Sequence, residues 1–479
     1  MQTDISPRSH PIDAVQAPLP PGPRGLPLLG SVLDFGRDPL GFLSTTARTY
    51  GDVARVAVTG GAFHLLAHPE QIEDVLVSRN RNFPKENIEL LRNSTDYLLF
   101  GLGLLTSNGA FWLRQRRLAQ PAFHRQRIAG YSRAMVAHTE RMLNGWQDGQ
   151  RIDAHSAMMD LTLHIVAETL FGASESVDAH EVGAALGVVM DVSAAELGQP
   201  IQIPVNIPTP SNLRFKRAVA RLDNVIARLI AERRAASDTA ERADLLAMLM
   251  AARDEDGSAM SDKQLRDEAV TLFLAGHETT ALALSWTFLL LSRNPQARER
   301  LEQELDRVLA GRTPMLEDLP QLSYTGLVLK ESMRIYPPAW ILSPRVSAAD
   351  TTIGGYRTPA GTQLVISPWV TQRDPRWFAE PERFIPERWE DGLEQRLPRF
   401  AYFPFGGGPR QCIGQSFALM EATLILATIA ARYRLEPLPG RTITPQPAIT
   451  LRPVEGLHVT LQKRPEAQPY SSIHQATAS

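Results

Sequence analysis

The chain of 479 residues carries 50 Lys and Arg against 52 Asp and Glu, for a formal net charge of -2, and 43% of it is hydrophobic. That balance gives no global field to attract nucleic acid or an anionic membrane surface, while the apolar share suffices for a large core. Its one cysteine, Cys412, excludes an internal disulfide, a four-thiolate zinc site and a cysteine-held iron-sulfur cluster.

Residues 1–17 are polar and lack the apolar core of a signal peptide or anchor, so they are expected to be disordered and the protein cytoplasmic. Pro18 to Gly30 (PLPPGPRGLPLLG) is stiffened by proline and should run extended over the surface. A helix is predicted over Pro39 to Tyr50. Val53 to Val58 and Ala62 to Ala67 then read as a hairpin about Gly60-Gly61. Asn80 to Ser107 lacks sustained periodicity and mixes Phe83, Leu98, Leu104 and Leu105 with glycines, the composition of an apolar binding loop. Gly101-Leu102-Gly103 lacks the third glycine and the preceding strand of a dinucleotide loop. Trp112 and Arg116 share one helix face, where the ring either covers the arginine stem or both serve a ligand. Helical patterns fill Arg127 to Glu255, broken at Pro204, Pro208 and Pro210.

The longest predicted helix runs from Asp262 to Ser292. Ala269 to Leu291 is long and apolar enough to raise a membrane span, but His277, Glu278, Thr279 and Thr280 at its centre favour a core helix crossing a globular protein. Gly276 within it costs about 1 kcal/mol relative to alanine, which implies a packing or functional reason. The Thr279 hydroxyl either bonds back to the carbonyl four residues earlier or turns to a ligand, and Glu278 is a candidate proton carrier. A helix bent by internal hydrogen bonds fits this pair equally. Glu331 and Arg334 lie one turn apart on a helix ending at Pro337-Pro338. Strand patterns follow around Thr351 to Tyr356 and Gln363 to Ser367.

Phe405 to Gly414 (FGGGPRQCIG) surrounds Cys412 with glycines that permit tight turns and close approach to a flat ligand. The apolar run Ile413 to Ala431 reads as a buried helix with the sulfur near its N-terminus, where backbone N-H groups favour a thiolate. A buried thiol, a nucleophile and a ligand to a single metal all remain open for Cys412.

This loop resembles the haem-binding signature of the cytochrome P450 family, F-x-x-G-x-R-x-C-x-G, at every fixed position. Three further motifs resemble the family in the expected order: Trp112-x-x-x-Arg116, Ala275-Gly276-His277-Glu278-Thr279-Thr280, and Glu331-x-x-Arg334. The resemblance implies a mainly α fold with small β-sheets, in which haem b (iron protoporphyrin IX) lies between the long central helix and the cysteine loop. It implies one domain over residues 18–462, with 463–479 a disordered tail. Cys412 would be the axial thiolate, with Phe405 and Gly414 packed about it. Arg410, Arg345, Trp112 and Arg116 would meet the propionates, although Arg345 equally reads as a surface arginine before a strand. Ala275 would leave room for dioxygen, with Glu278 and Thr279 delivering protons. The pocket would be lined by Leu104, Leu105, Trp340, Ile341, Leu342 and Ile449, under a lid spanning Asp191 to Ser211. Glu331 and Arg334 would bury a structural triad with Arg388, chosen over Arg383 by the frame Phe384 to Trp389.

The implied activity is insertion of one oxygen atom from O2 into an apolar substrate: a fatty acid, terpene, steroid or polyketide. Electrons are expected from a separate ferredoxin or flavodoxin and an NAD(P)H-dependent reductase, and Arg114 and Arg117 either face such a partner or are simply solvated. The other reading is a haem-binding sensor or ligand carrier without turnover. Neither reading involves nucleic acid or a transmembrane anchor.

Overall fold

The computed structural model describes residues 16–172, 179–197, 199, 203–235, 244–253, 257 and 259–465. Helices dominate, and the strands gather into sheets of two to four. The elements that position the site are α1 (Pro39–Tyr50), β1 (Val53–Val58), β2 (Gly61–Leu66), α2 (Thr95–Phe100), α3 (Gly109–Ala119), α4 (Ala154–Phe171), α5 (Ala179–Glu196), α6 (Asp262–Arg293), α7 (Ser323–Ile335), β3 (Arg345–Val346), β4 (Gln363–Ile366), α8 (Gln415–Ala430) and β5 (Leu451–Pro453).

The predicted hairpin pairs Val53 with Leu66, and β2 then runs parallel to β4, with Leu66 opposite Ile366. The sheet order is β1-β2-β4-β3. An exposed edge at β1 would invite association with another strand. The proline-rich entry covers it: Arg55 N-H donates to Pro21 O at 2.8 Å, and Ser31 N-H to Ala57 O at 2.7 Å.

The stretch read as an apolar loop contains α2, a correction to the sequence reading. Six residues are too few to reveal a period, and the start signal is Ser94, whose hydroxyl accepts the Tyr97 N-H. The chain also stays ordered beyond the expected boundary at 462. A strand runs His458–Lys463, and Arg464 donates to Asp306 Oδ2 at 2.9 Å and Ala430 O at 3.1 Å. Most of the two expected disordered ends, 1–15 and 466–479, lies outside the described residues, as do 198 and 200–202 of the expected lid.

The core is organised about α6, which ends one residue beyond the predicted terminus. Ser261 and Gln264 close a capping box at its start, and the helix is buried along most of its length. It packs along α4, where Gly276 allows the close approach: a Cβ there would lie 3.1 Å from Val166 Cγ2. Thr162 Oγ1 of α4 donates to His277 O at 3.0 Å across the same contact. Apolar all round, α8 is wedged against α6 and α7. No helix among the described residues is long and apolar enough to cross a membrane.

Candidate active site

The Cys412 loop is shaped by glycines that its packing requires. Gly406 and Gly408 have φ of +67° and +68°, the left-handed region. A Cβ on Gly408 would lie 2.0 Å from Leu76 O, and one on Gly407 2.3 Å from the Phe400 ring. Cys412 N-H closes the loop onto Phe405 O at 3.0 Å. Arg116 Nη1 of α3 donates to Gln411 O at 2.8 Å, beside the sulfur. Burial pushes the Cys412 thiol up, against the Gly414 N-H and the Arg116 charge, which favour the thiolate. Yet Cys412 keeps solvent-accessible surface. Surface that water can reach but protein surrounds is the wall of an internal cleft.

The middle of α6 has the same property. Ala275 is exposed and Gly276 and Thr279 half-exposed, whereas the residues on either side are buried. Ala275 and Thr279 are four apart and share a face. Thr279 Oγ1 donates to Ala275 O at 2.9 Å. Glu278 is buried and turned elsewhere: its Oε1 accepts from Thr450 Oγ1 at 2.7 Å, and burial lifts its carboxyl to about 7. His277 is buried, bonded to Phe273 O and held neutral, burial pulling it to about 4.

A cluster of cations lies beside the Cys412 loop. The Arg410 guanidinium lies 4.3 Å over the Trp112 ring, and its Nη2 donates to Ser107 O at 2.7 Å and Asn108 Oδ1 at 2.9 Å. Arg345 is buried rather than on the surface, at the start of β3. The Nη1 atoms of Arg345 and Arg410 are both buried without a hydrogen-bond partner. Burial lowers Arg345 to about 10 and Arg410 to about 9, the latter with help from the Arg345 and Arg116 charges. Lys85 joins them. It bridges to Arg345 through the backbone, its N-H donates to Asn108 Oδ1 at 3.2 Å, and its Nζ donates to Leu105 O. Burial and the two arginines pull Lys85 well down, with Asp96 opposing. Sequence reading missed Lys85 because nothing local marks it.

Of the expected pocket residues, Leu105 is exposed, and Ile341, Leu342 and Ile449 are half-buried. Leu104 is almost covered, its N-H donating to Glu268 Oε2 at 3.0 Å. Trp340 is a correction: it has 0% exposure, in a cluster with Leu43 and Ala54, so it lines no cleft. Its Nε1 instead donates to Ala448 O at 2.9 Å and fixes the turn that carries Ile449. Glu331 Oε1 lies 2.9 Å from both Arg334 Nη2 and Arg388 Nε. On α3, Arg117 is exposed and Arg114 half-buried.

An open sulfur with N-H support, an open strip on α6 and orphaned buried guanidinium N-H groups fit a flat ligand that carries a thiolate-seeking metal and carboxylates. Haem b has those features. The family model described as Cytochrome P450 matches residues 20–459. The chain is 40% identical over 431 residues to cyclooctatin synthase of Streptomyces melanosporofaciens, covering 90% of this chain and 92% of that one. It is 38% identical to cyclooctat-9-en-7-ol 5-monooxygenase of the same organism, covering 88% and 90% of the two chains. To pentalenene oxygenase of Streptomyces avermitilis it is 35% identical, covering 93% and 98%. The chain therefore belongs to the cytochrome P450 family, the haem b-dependent monooxygenases that oxidise apolar substrates.

Proposed function

We propose that residues 18–462, together with the end of the last strand and Arg464, form one haem-thiolate monooxygenase domain whose substrate is a cyclic terpene or a terpene alcohol. The observation that carries the site assignment is the pairing of an open Cys412 with an open Ala275–Thr279 strip in an otherwise buried interior. Cys412 would ligate the iron, with the Gly414 N-H and Arg116 moderating the sulfur's charge. Arg345, Arg410 and Lys85 would take the propionates, whose negative charge supplies what the buried guanidinium N-H groups lack. When bound, haem supplies the redox chemistry that places one oxygen atom from O2 on the substrate. Thr279 Oγ1, bonded to Ala275 O, can turn into the cleft and donate its proton there. Glu278 near its midpoint at neutral pH can replace that proton. Leu105, Ile341, Leu342 and Ile449 would exclude water and hold a hydrocarbon by non-directional burial.

The names of two relatives, pentalenene oxygenase and cyclooctat-9-en-7-ol 5-monooxygenase, contain an alkene and an alkenol, which supports the terpene class over fatty acids, steroids or polyketides. Electrons would come from a separate ferredoxin or flavodoxin and its NAD(P)H-dependent reductase, in the cytoplasm; exposed Arg117 suits an acidic partner. The test is titration of ferric protein with cyclic terpenes, terpene alcohols, fatty acids, steroids and polyketides, followed by turnover with surrogate redox partners. A spin-state shift and an oxygenated product with the terpenes alone support the reading. A shift confined to another class overturns the substrate, and haem reduction without any product favours a sensor or carrier.

A further inference from the structure

Glu278 does not border the cleft that Ala275 and Thr279 open onto. Its partner Thr450 sits in a turn fixed from both sides. Trp286 Nε1 of α6 donates to Leu451 O and Trp340 Nε1 to Ala448 O, each at 2.9 Å, and Leu451 N-H donates to Pro338 O at 2.9 Å. Two buried tryptophans thus aim the Thr450 hydroxyl at Glu278 Oε1. Two residues on, in β5, Arg452 donates to Gln446 Oε1 at 3.0 Å and pairs with Asp191 of α5. The Arg452 side chain is 15% exposed and that of Asp191 60%, so this short segment spans from a buried carboxyl to a solvated one.

We propose that Thr450 and Arg452 are positioning residues for Glu278, and that with Asp191 they form the route by which Glu278 exchanges its proton with solvent. The inference rests on the reading of Glu278 as the proton carrier. Thr450 Oγ1 can pass its proton to Glu278 Oε1 while taking another from water, so one proton moves inward and no electrons do. Arg452 acts through its charge, which favours the Glu278 carboxylate, as does the Thr450 hydrogen bond. Asp191 offsets that charge. The other titratable groups around this segment are His155 of α4, lowered by burial to about 4 beside Arg452 and facing Asp153; His277, likewise near 4; and Glu421 of α8, which burial raises and which faces Thr280. Burial disfavours the charged form of both histidines and of Glu421, which leaves the Arg452–Asp191 ion pair, with Asp153 beyond His155, as the charged neighbours of this segment.

The test is a pH titration of the carboxyl C=O stretching band of the holoenzyme, with the Glu278→Gln spectrum subtracted to isolate Glu278. The wild-type midpoint is expected near 7. Thr450→Val and Arg452→Met should each move it upward by about one pH unit, from the loss of a charge-assisted hydrogen bond or of a nearby charge. The surface variant Asp191→Asn should move it downward, and Thr450→Ser should restore it. A midpoint common to all variants, or Asp191→Asn moving it the same way as Thr450→Val, overturns the proposal. Peroxide released per NADPH, with substrate and redox partners present, separates the two readings. If Glu278→Gln leaves it unchanged, the proton-carrier reading fails. If Glu278→Gln raises it but Thr450→Val does not, the route fails.

Discussion

Glu331→Gln probes what holds the Cys412 loop against its scaffold. The Glu331 carboxylate is fully buried and accepts from Arg334 Nε and Nη2, Arg388 Nε and Trp389 Nε1, each at 2.9 Å, and from Ile385 N at 3.0 Å. Glutamine keeps the shape but offers one acceptor oxygen and points an NH2 group at donors. It also leaves two guanidinium groups without their counter-charge. Breaking a buried ion pair from one side costs about 3–5 kcal/mol, against a total stability of roughly 5–15 kcal/mol. Trp389→Phe removes one hydrogen bond to the same carboxylate and should cost about 1.5–3 kcal/mol. The damage should reach the sulfur: Arg334 Nη1 donates to Gln372 O at 3.0 Å, and Gln372 Oε1 accepts the N-H of Phe403, which precedes the loop. Urea unfolding of haem-loaded protein, followed by far-ultraviolet circular dichroism and haem absorbance, measures both effects. Haem release is expected to shift with unfolding in the order wild type, Trp389→Phe, Glu331→Gln. A Glu331→Gln protein within about 0.5 kcal/mol of wild type, the range of an ordinary surface change, refutes the triad as a support.

Three further outcomes follow from the same geometry. Thr279→Ala should bind haem and substrate as wild type does but send a larger share of electrons to peroxide, read as peroxide per NADPH; unchanged coupling contradicts the role given to its hydroxyl. Lys85→Met should release haem to an apo-globin acceptor about tenfold faster, the loss of one charge-assisted hydrogen bond, whereas Lys85→Arg should not; equal release rates remove Lys85 from the propionate set. Burial raises the Glu268 carboxyl from 4.5 to about 8, with Leu104 N-H opposing and Asp267 adding to the rise. The folded chain therefore holds a proton that the unfolded chain releases between pH 4.5 and 8, and stability falls as pH rises through that window. Glu268→Gln escapes this loss, so its advantage over wild type should grow toward pH 8, by on the order of 4 kcal/mol, and vanish near pH 4. A pH-independent difference in urea midpoint contradicts that reasoning.

What could be read beforehand was contiguous. The extent of α6 was legible because Ala269 to Leu291 is largely apolar on both sides of the polar centre at His277 to Thr280. The Cys412 loop was legible because close approach leaves only glycine at 407 and 408. The reason for Gly276 was not, because Val166 lies far from it in sequence. The family resemblance alone made Trp340 a pocket residue, and only the fold reveals that its ring is enclosed and its N-H committed to Ala448 O. Thr450 and Lys85 gain meaning from Glu278 and Arg345, partners that no periodicity or local motif connects to them.

The most direct measurement is the optical spectrum of the reduced protein under carbon monoxide, for wild type and Cys412→Ser. A thiolate-type carbonyl band in wild type that is lost in haem-loaded Cys412→Ser is the predicted result. The same thiolate-type band in both proteins, or a wild-type band without thiolate character in folded, haem-loaded protein, would contradict the assignment of Cys412 and the site built around it.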